Sequence, residues 1–165
     1  GVVALDPATG ADVWRSEAFP VAPGSPVLIR VEGQDQLVVV GQQELVGLDP
    51  LDGRLLWRHP HENELGLNVS MPVWGRDTRL FMSSAYGGGS RMLTLSLIDG
   101  RTTPEEIWST NRMRVHFSNA LRVGGWPLPG TAQAAYSRVG RSSSNMSNSL
   151  CIPCTFWSIL LKYSK

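Results

Sequence analysis

Val3-Ala4-Leu5-Asp6-Pro7-Ala8-Thr9-Gly10-Ala11-Asp12-Val13-Trp14-Arg15 returns 43 residues later as Val46-Gly47-Leu48-Asp49-Pro50-Leu51-Asp52-Gly53-Arg54-Leu55-Leu56-Trp57-Arg58. A looser third copy runs Leu93-Thr94-Leu95-Ser96-Leu97-Ile98-Asp99-Gly100-Arg101 and then Ile107-Trp108. Between Gly100 and Trp108 it holds four extra residues, read as an insertion at Thr102–Glu105. A second landmark keeps the same period: Ser25-Pro26-Val27-Leu28, Met71-Pro72-Val73-Trp74 and Ser118-Asn119-Ala120-Leu121, spaced by 46 and 47. Two landmarks with one period establish an internal repeat.

Within a period the pattern is of short strands. The second unit reads as strands 26–31, 37–41, 44–49 and 54–58, parted by the turn residues Glu32-Gly33-Gln34-Asp35, Gly41-Gln42 and Pro50-Leu51-Asp52-Gly53. The third reads as 70–74, 79–84, 91–97 and 106–110, with Tyr86-Gly87-Gly88-Gly89-Ser90 as its middle turn. Four strands in about 45 residues is the pattern of a propeller blade. The expected fold is therefore all-β: a partial β-propeller of four-stranded antiparallel blades. Two full blades are expected at about 25–60 and 68–110, flanked by two strands of a preceding blade (2–17) and one of the next (114–123).

The repeated residues have physical reasons. Gly10 and Gly53 end tight turns, where a positive φ is cheap only for glycine. The chain then returns as an outer strand carrying Trp14 or Trp57, an indole able to bury about 150–250 Å². Ala4 and Gly47 leave room for such a ring. The third copy puts Thr94 there, and Ser96 in place of Asp.

These residues resemble the pyrroloquinoline-quinone (PQQ) type of propeller repeat, whose tryptophan-docking motif runs small–x–Asp–x–x–x–Gly–basic–x–x–Trp. Ala4, Asp6, Gly10 and Trp14 match it, with Ala11 at the basic position. Gly47, Asp49, Gly53, Arg54 and Trp57 match it more fully, and Gly100 and Trp108 complete the candidate docking set. Arg112–Ala120 also looks like bacterial proteins of this group. The resemblance covers residues 2 to about 123 and implies a periplasmic or cell-envelope setting. It is specific for the repeat and weak for activity, since the group holds both quinoprotein dehydrogenases and non-enzymatic scaffolds.

Hydrophobic residues make up 42% of the 165 and charged residues 18%, as in a globular protein. The longest apolar run, Leu150–Leu161, contains Pro153, so no membrane span is expected. A net charge of +1 excludes a strongly basic nucleic-acid binder. All 14 acidic residues lie at or before Glu106, whereas residues 107–165 hold five Arg, two Lys and no acid. The strand pattern also stops after Val123, giving way to Gly124-Gly125-Trp126-Pro127 and the serine-rich stretch from Arg141 to Ser149. The domain reading is thus a partial propeller over 1–123 and an irregular tail over 124–165, from an off-frame or chimeric junction or a genuine disordered extension. Propellers close with four to eight blades, so this chain is expected to be a fragment whose first partners are missing blades of its parent.

Candidate chemistry meets simpler readings. Cys151-Ile152-Pro153-Cys154 has redox spacing but no strand–helix setting and no second pair of ligands for zinc. His59-Pro60-His61 with Glu62 and Glu64 offers metal-type donors, yet its place after the Trp57 strand reads as a polar inter-blade loop. His116 reads as a packed or pore-facing side chain in the first strand of the next blade. Asn68-Val69-Ser70 and Asn145-Met146-Ser147 fit the N-glycosylation acceptor. The glycines of Tyr86–Ser90 form a hairpin turn, with no helix to complete a phosphate cradle. Asp6 and Asp49 belong to the turn repeat rather than to acid–base pairs.

No catalytic, cofactor-binding or metal residue is therefore assigned, and no cofactor is expected in this stretch. The functional expectation is a non-catalytic repeat segment, serving in its parent as a scaffold for protein partners. The alternative is a piece of a PQQ- and calcium-dependent dehydrogenase whose cofactor residues lie outside this chain, because residues 1–123 contain no cysteine and no recognisable ligand motif.

Overall fold

The structure, a computed structural model, describes residues 1–122 and, for the backbone alone, two further strands. Its described residues are all-β. A ribbon of β1 (Val3–Leu5) and β2 (Asp12–Arg15) precedes the first sheet, made of β3 (Val27–Val31), β4 (Gln34–Val40), β5 (Glu44–Leu48) and β6 (Leu55–Pro60) in that order. The second sheet contains β7 (Val73–Trp74), β8 (Arg79–Ser84), β9 (Gly89–Ile98) and β10 (Arg101–Thr110), again antiparallel and in chain order. β11 (Ala120–Arg122) pairs in parallel with β13 (Ile159–Tyr163), which pairs antiparallel with β12 (Ala132–Ala134). The two complete sheets are propeller blades. The tail expected over 124–165 otherwise lies outside the described residues, as do Cys151, Cys154 and Asn145.

Packing follows the strand period. Residues of one strand point alternately to the two faces, and in these blades both faces are covered. Ile29, Val31, Val38, Val40, Leu45 and Trp57 pack against Leu80, Met82, Leu93 and Leu95 to form the seam between the blades. The opposite face of the first blade buries Val39, Val46 and Leu48 with Phe19, while the opposite face of the second buries Phe81 and Met92 with Met113 and Ala120. Double burial explains why Leu37-Val38-Val39-Val40 is apolar throughout rather than alternating.

Three differences from the sequence expectation bear on the repeat and the linker rim. β4 starts at Gln34, because Glu32 and Gly33, both at positive φ (45° and 95°), close a two-residue hairpin turn. The residues expected as an insertion, Thr102–Glu105, form no loop; they lengthen the β9–β10 hairpin, with Ile98 opposite Arg101 and Thr103 opposite Ser96. Asp99-Gly100, at φ 49° and 74°, makes a two-residue turn there. Finally, the strand expected over 114–123 is confined to Ala120–Arg122, leaving His116 in the preceding loop.

Up-and-down order sorts the loops onto two rims. The turns at Glu32–Gly33, Asp49–Gly53, Gly75–Thr78 and Asp99–Gly100 share one rim. The other, here called the linker rim, gathers Gly41–Gln43, the link His61–Pro72, the turn Ala85–Gly88 and the link Asn111–Asn119.

Candidate functional site

The repeated Asp–Gly turn has one geometry in its first two copies. Gly10 N donates to Asp6 O at 2.8 Å and Gly53 N to Asp49 O at 2.9 Å. The carboxylates cap the same turns, Asp6 Oδ1 accepting from Ala8 N and Thr9 N, and Asp49 Oδ1 from Leu51 N. The amides of Thr9 and then Ala8 hold the Asp6 carboxyl below its ordinary pKa. With Ser96 in place of Asp, the third copy lacks this cap and closes by the shorter Asp99-Gly100 turn instead.

The three tryptophans of the repeated motif have three different settings. Trp14 stands opposite Ala4, donates Nε1–H to Pro50 O at 3.0 Å, and lies so close to Gly53 that a Cβ there would overlap its ring. It thereby joins the β1–β2 ribbon to the next blade. Trp57 stands opposite Gly47, where a Cβ would overlap the indole, and is only 4% exposed. Its Nε1–H donates to Gln36 Oε1 at 2.8 Å, and Gln36 Nε2 donates across the seam to Thr102 Oγ1 at 2.6 Å. Trp108 stands opposite Met92 rather than Thr94, because the lengthened hairpin and a bulge at Glu106–Trp108 move its register. It is 40% exposed, and a Cβ on Gly100 would meet nothing within 4 Å.

A second polar contact crosses the seam at the linker rim. Buried His61 places Nε2 2.9 Å from Ser84 Oγ, across the two blades. The pair has the composition of a nucleophile and its base, but not the properties. Both side chains are buried, and His61 Nδ1 has no partner among the described residues to orient the ring. Burial first, then the charge of Arg91 and the neighbouring His59, push the imidazole pKa down to about 3, too weak a base to activate a hydroxyl at neutral pH. The contact pins one blade to the other. His59 is likewise shifted down, by burial and then by Arg91. Among the described residues no group of three His, Cys, Asp or Glu is placed to hold a metal ion.

Asn68 is fully buried and donates Nδ2–H groups to Gly41 O at 2.9 Å, Gln42 O at 3.1 Å and His61 O at 3.3 Å. In the folded chain its amide is closed to glycosylation. Above it, a groove of about 500 Å³ is lined by Gln43, Glu62, Asn63, Glu64, Tyr86 and Gly87. Tyr86 meets His116 edge-on at 4.7 Å between ring centroids, and His116 lies 3.7 Å from Phe117, which is 77% exposed. The sequence alone sets Glu62 and Glu64 among metal-type donors, Tyr86 in a hairpin turn and His116 in a strand of the next blade, with nothing to join them. Gln36 and Ser84 are missed altogether; the trace they leave is a polar side chain on the seam face of an otherwise apolar strand.

Fold and site together define a segment of a β-propeller whose polar side chains lock blade to blade and whose linker rim carries an open groove. The chain belongs to the family described as outer membrane protein assembly factor BamB, a family of PQQ-type repeats, whose model matches residues 1–116. No curated protein and no solved structure matches the chain.

Proposed function

We propose that this propeller segment is non-catalytic and presents its linker rim to protein partners, with Ala4, Asp6, Gly10, Trp14, Gly47, Asp49, Gly53 and Trp57 serving as the docking framework that keeps the blades in register. The observation that carries the reading is the ladder Tyr86–His116–Phe117, which ends in a phenylalanine 77% exposed beside an open groove. A large aromatic left in water is a mark of binding surfaces. The family description, an assembly factor, supports the same direction. A cell-envelope setting follows from that resemblance.

A calcium-held quinone asks for convergent carboxylate and amide donors. Of the described carboxylates, Asp6 and Asp49 cap turns, Glu44 faces Arg58, and Glu106 faces Arg91. The test is to load the full chain with the quinone and calcium and assay dye-linked alcohol oxidation. No oxidation is expected, and turnover above the protein-free control would overturn the reading in favour of a dehydrogenase.

A further inference from the structure

The linker-rim groove is built rather than incidental. Its floor is held by Asn63, which is buried and donates Nδ2–H to Asn68 Oδ1 at 2.9 Å while its own Oδ1 accepts from Leu65 N and Leu67 N at 3.1 and 3.0 Å. Gln43 exchanges two 3.0 Å hydrogen bonds with the Asn63 backbone. The opposite wall is tied on by Glu64 N donating to Tyr86 O at 2.8 Å. Such a network orders the groove before any ligand arrives, which lowers the entropy cost of binding.

Its chemistry is one-sided. Glu62 and Glu64 are exposed and enter no ion pair among the described residues, whereas Glu17 and Glu44 both face Arg58 and Glu106 faces Arg91. No lysine or arginine lines the groove. Tyr86 adds an aromatic face, and the ladder through His116 to Phe117 extends it outward, while Leu65 is exposed in the same link as Glu62 and Glu64. Carboxylates beside aromatic rings favour a guanidinium or ammonium group, through charge-assisted hydrogen bonds and cation–π contact. The neighbouring apolar side chains favour a chain that carries apolar residues next to its cation.

We propose that this groove binds an extended segment of a partner protein in which an arginine or lysine is flanked by apolar side chains. The cation sits between Glu62 and Glu64 against Tyr86, and an apolar neighbour covers Phe117. The inference rests on the interaction reading above and gives it a partner chemistry.

The test uses the full chain and a fluorescein-labelled pentapeptide, Leu-Arg-Leu-Arg-Leu, followed by anisotropy. Matched peptides with glutamine or glutamate for arginine serve as controls. The arginine peptide is expected to bind, at least tenfold more tightly than either control, and to weaken several-fold between 50 and 300 mM salt. The double variant Glu62→Gln, Glu64→Gln should lose at least tenfold, and Phe117→Ala should weaken binding without altering the preference for arginine. These side chains are exposed, so circular dichroism should be unchanged. Equal binding of the three peptides, no binding by the wild-type chain, or undiminished binding by the double glutamine variant would each overturn the proposal. A negative peptide result with a negative quinone assay removes only the cationic-segment assignment.

Discussion

The indole nitrogen of Trp57 donates to the side-chain oxygen of Gln36 at 2.8 Å, and both side chains are buried. Gln36 then reaches Thr102 in the next blade, so a hydrogen bond inside one blade and another across the seam share a single amide. Replacing Gln36 by leucine should strand the indole N–H and leave the Thr102 hydroxyl only a 3.5 Å hydrogen bond to Gln34 Oε1. An unsatisfied buried group costs about 1–3 kcal/mol, so Gln36→Leu should lower unfolding stability by about 2 kcal/mol or more in urea. The double change Gln36→Leu, Thr102→Val should recover part of that loss. Additive losses in the double variant would show that the two side chains do not act together.

Gly47, at the small-residue position of the repeat, and Gly10, at its turn, should respond differently to alanine. At Gly47 a methyl group would overlap the Trp57 ring, whereas at Gly10 it meets nothing within 4 Å and suffers only from a φ of 72°. Gly47→Ala is expected to cost about 3 kcal/mol through overpacking, and Gly10→Ala about 1 kcal/mol through backbone strain. Comparable denaturation midpoints for the two variants would contradict this account.

Trp57 and Trp108 make a similar contrast. Truncating buried Trp57 to alanine should cost about 3–5 kcal/mol. Trp108, 40% exposed and out of register with Thr94, should cost about 1 kcal/mol or less on the same change. Steady-state tryptophan quenching by acrylamide offers an independent check, since removing Trp108 should reduce the accessible fraction and removing Trp57 should not.

Acid should loosen the seam through His61. Its pKa is depressed from 6.5 to about 3 in the folded chain, so the unfolded chain takes up a proton first. Stability is therefore full above pH 6.5 and falls as pH drops toward 3, at up to about 1.4 kcal/mol per pH unit. His59, shifted the same way, steepens the fall. In the variant His61→Gln the dependence between pH 6 and 4 should flatten. Parallel stability curves for the two proteins across that range would refute the assignment.

The repeat and the all-β class were legible in the sequence, because turns and strand periods are local. Asp–Gly turns, paired glycines and alternating apolar positions act within a few residues and leave a direct trace. Even the apolar stretch Leu37–Val40 carried the double burial that the seam imposes. The length of the third hairpin was not legible. Asp99-Gly100 can end a five-residue turn or form a two-residue one, and only the pairing of Thr102–Glu105 with Leu95–Leu97 and its neighbours decides between them.

By itself the sequence determined the repeat and, in its first two copies, which small residue faces which indole, because a strand's partner lies one turn away along the chain. What only the tertiary structure decided is what the blades do to one another. Gln36 and Thr102 lie 66 residues apart, and His61, in the link after the first sheet, lies 23 residues from Ser84 at the end of β8. Their contacts depend on the angle and spacing at which two sheets pack, which no local pattern encodes. The same holds for the groove: Glu62, Tyr86 and Phe117 belong to three separate loops and become one surface only when antiparallel order delivers all three to the same rim.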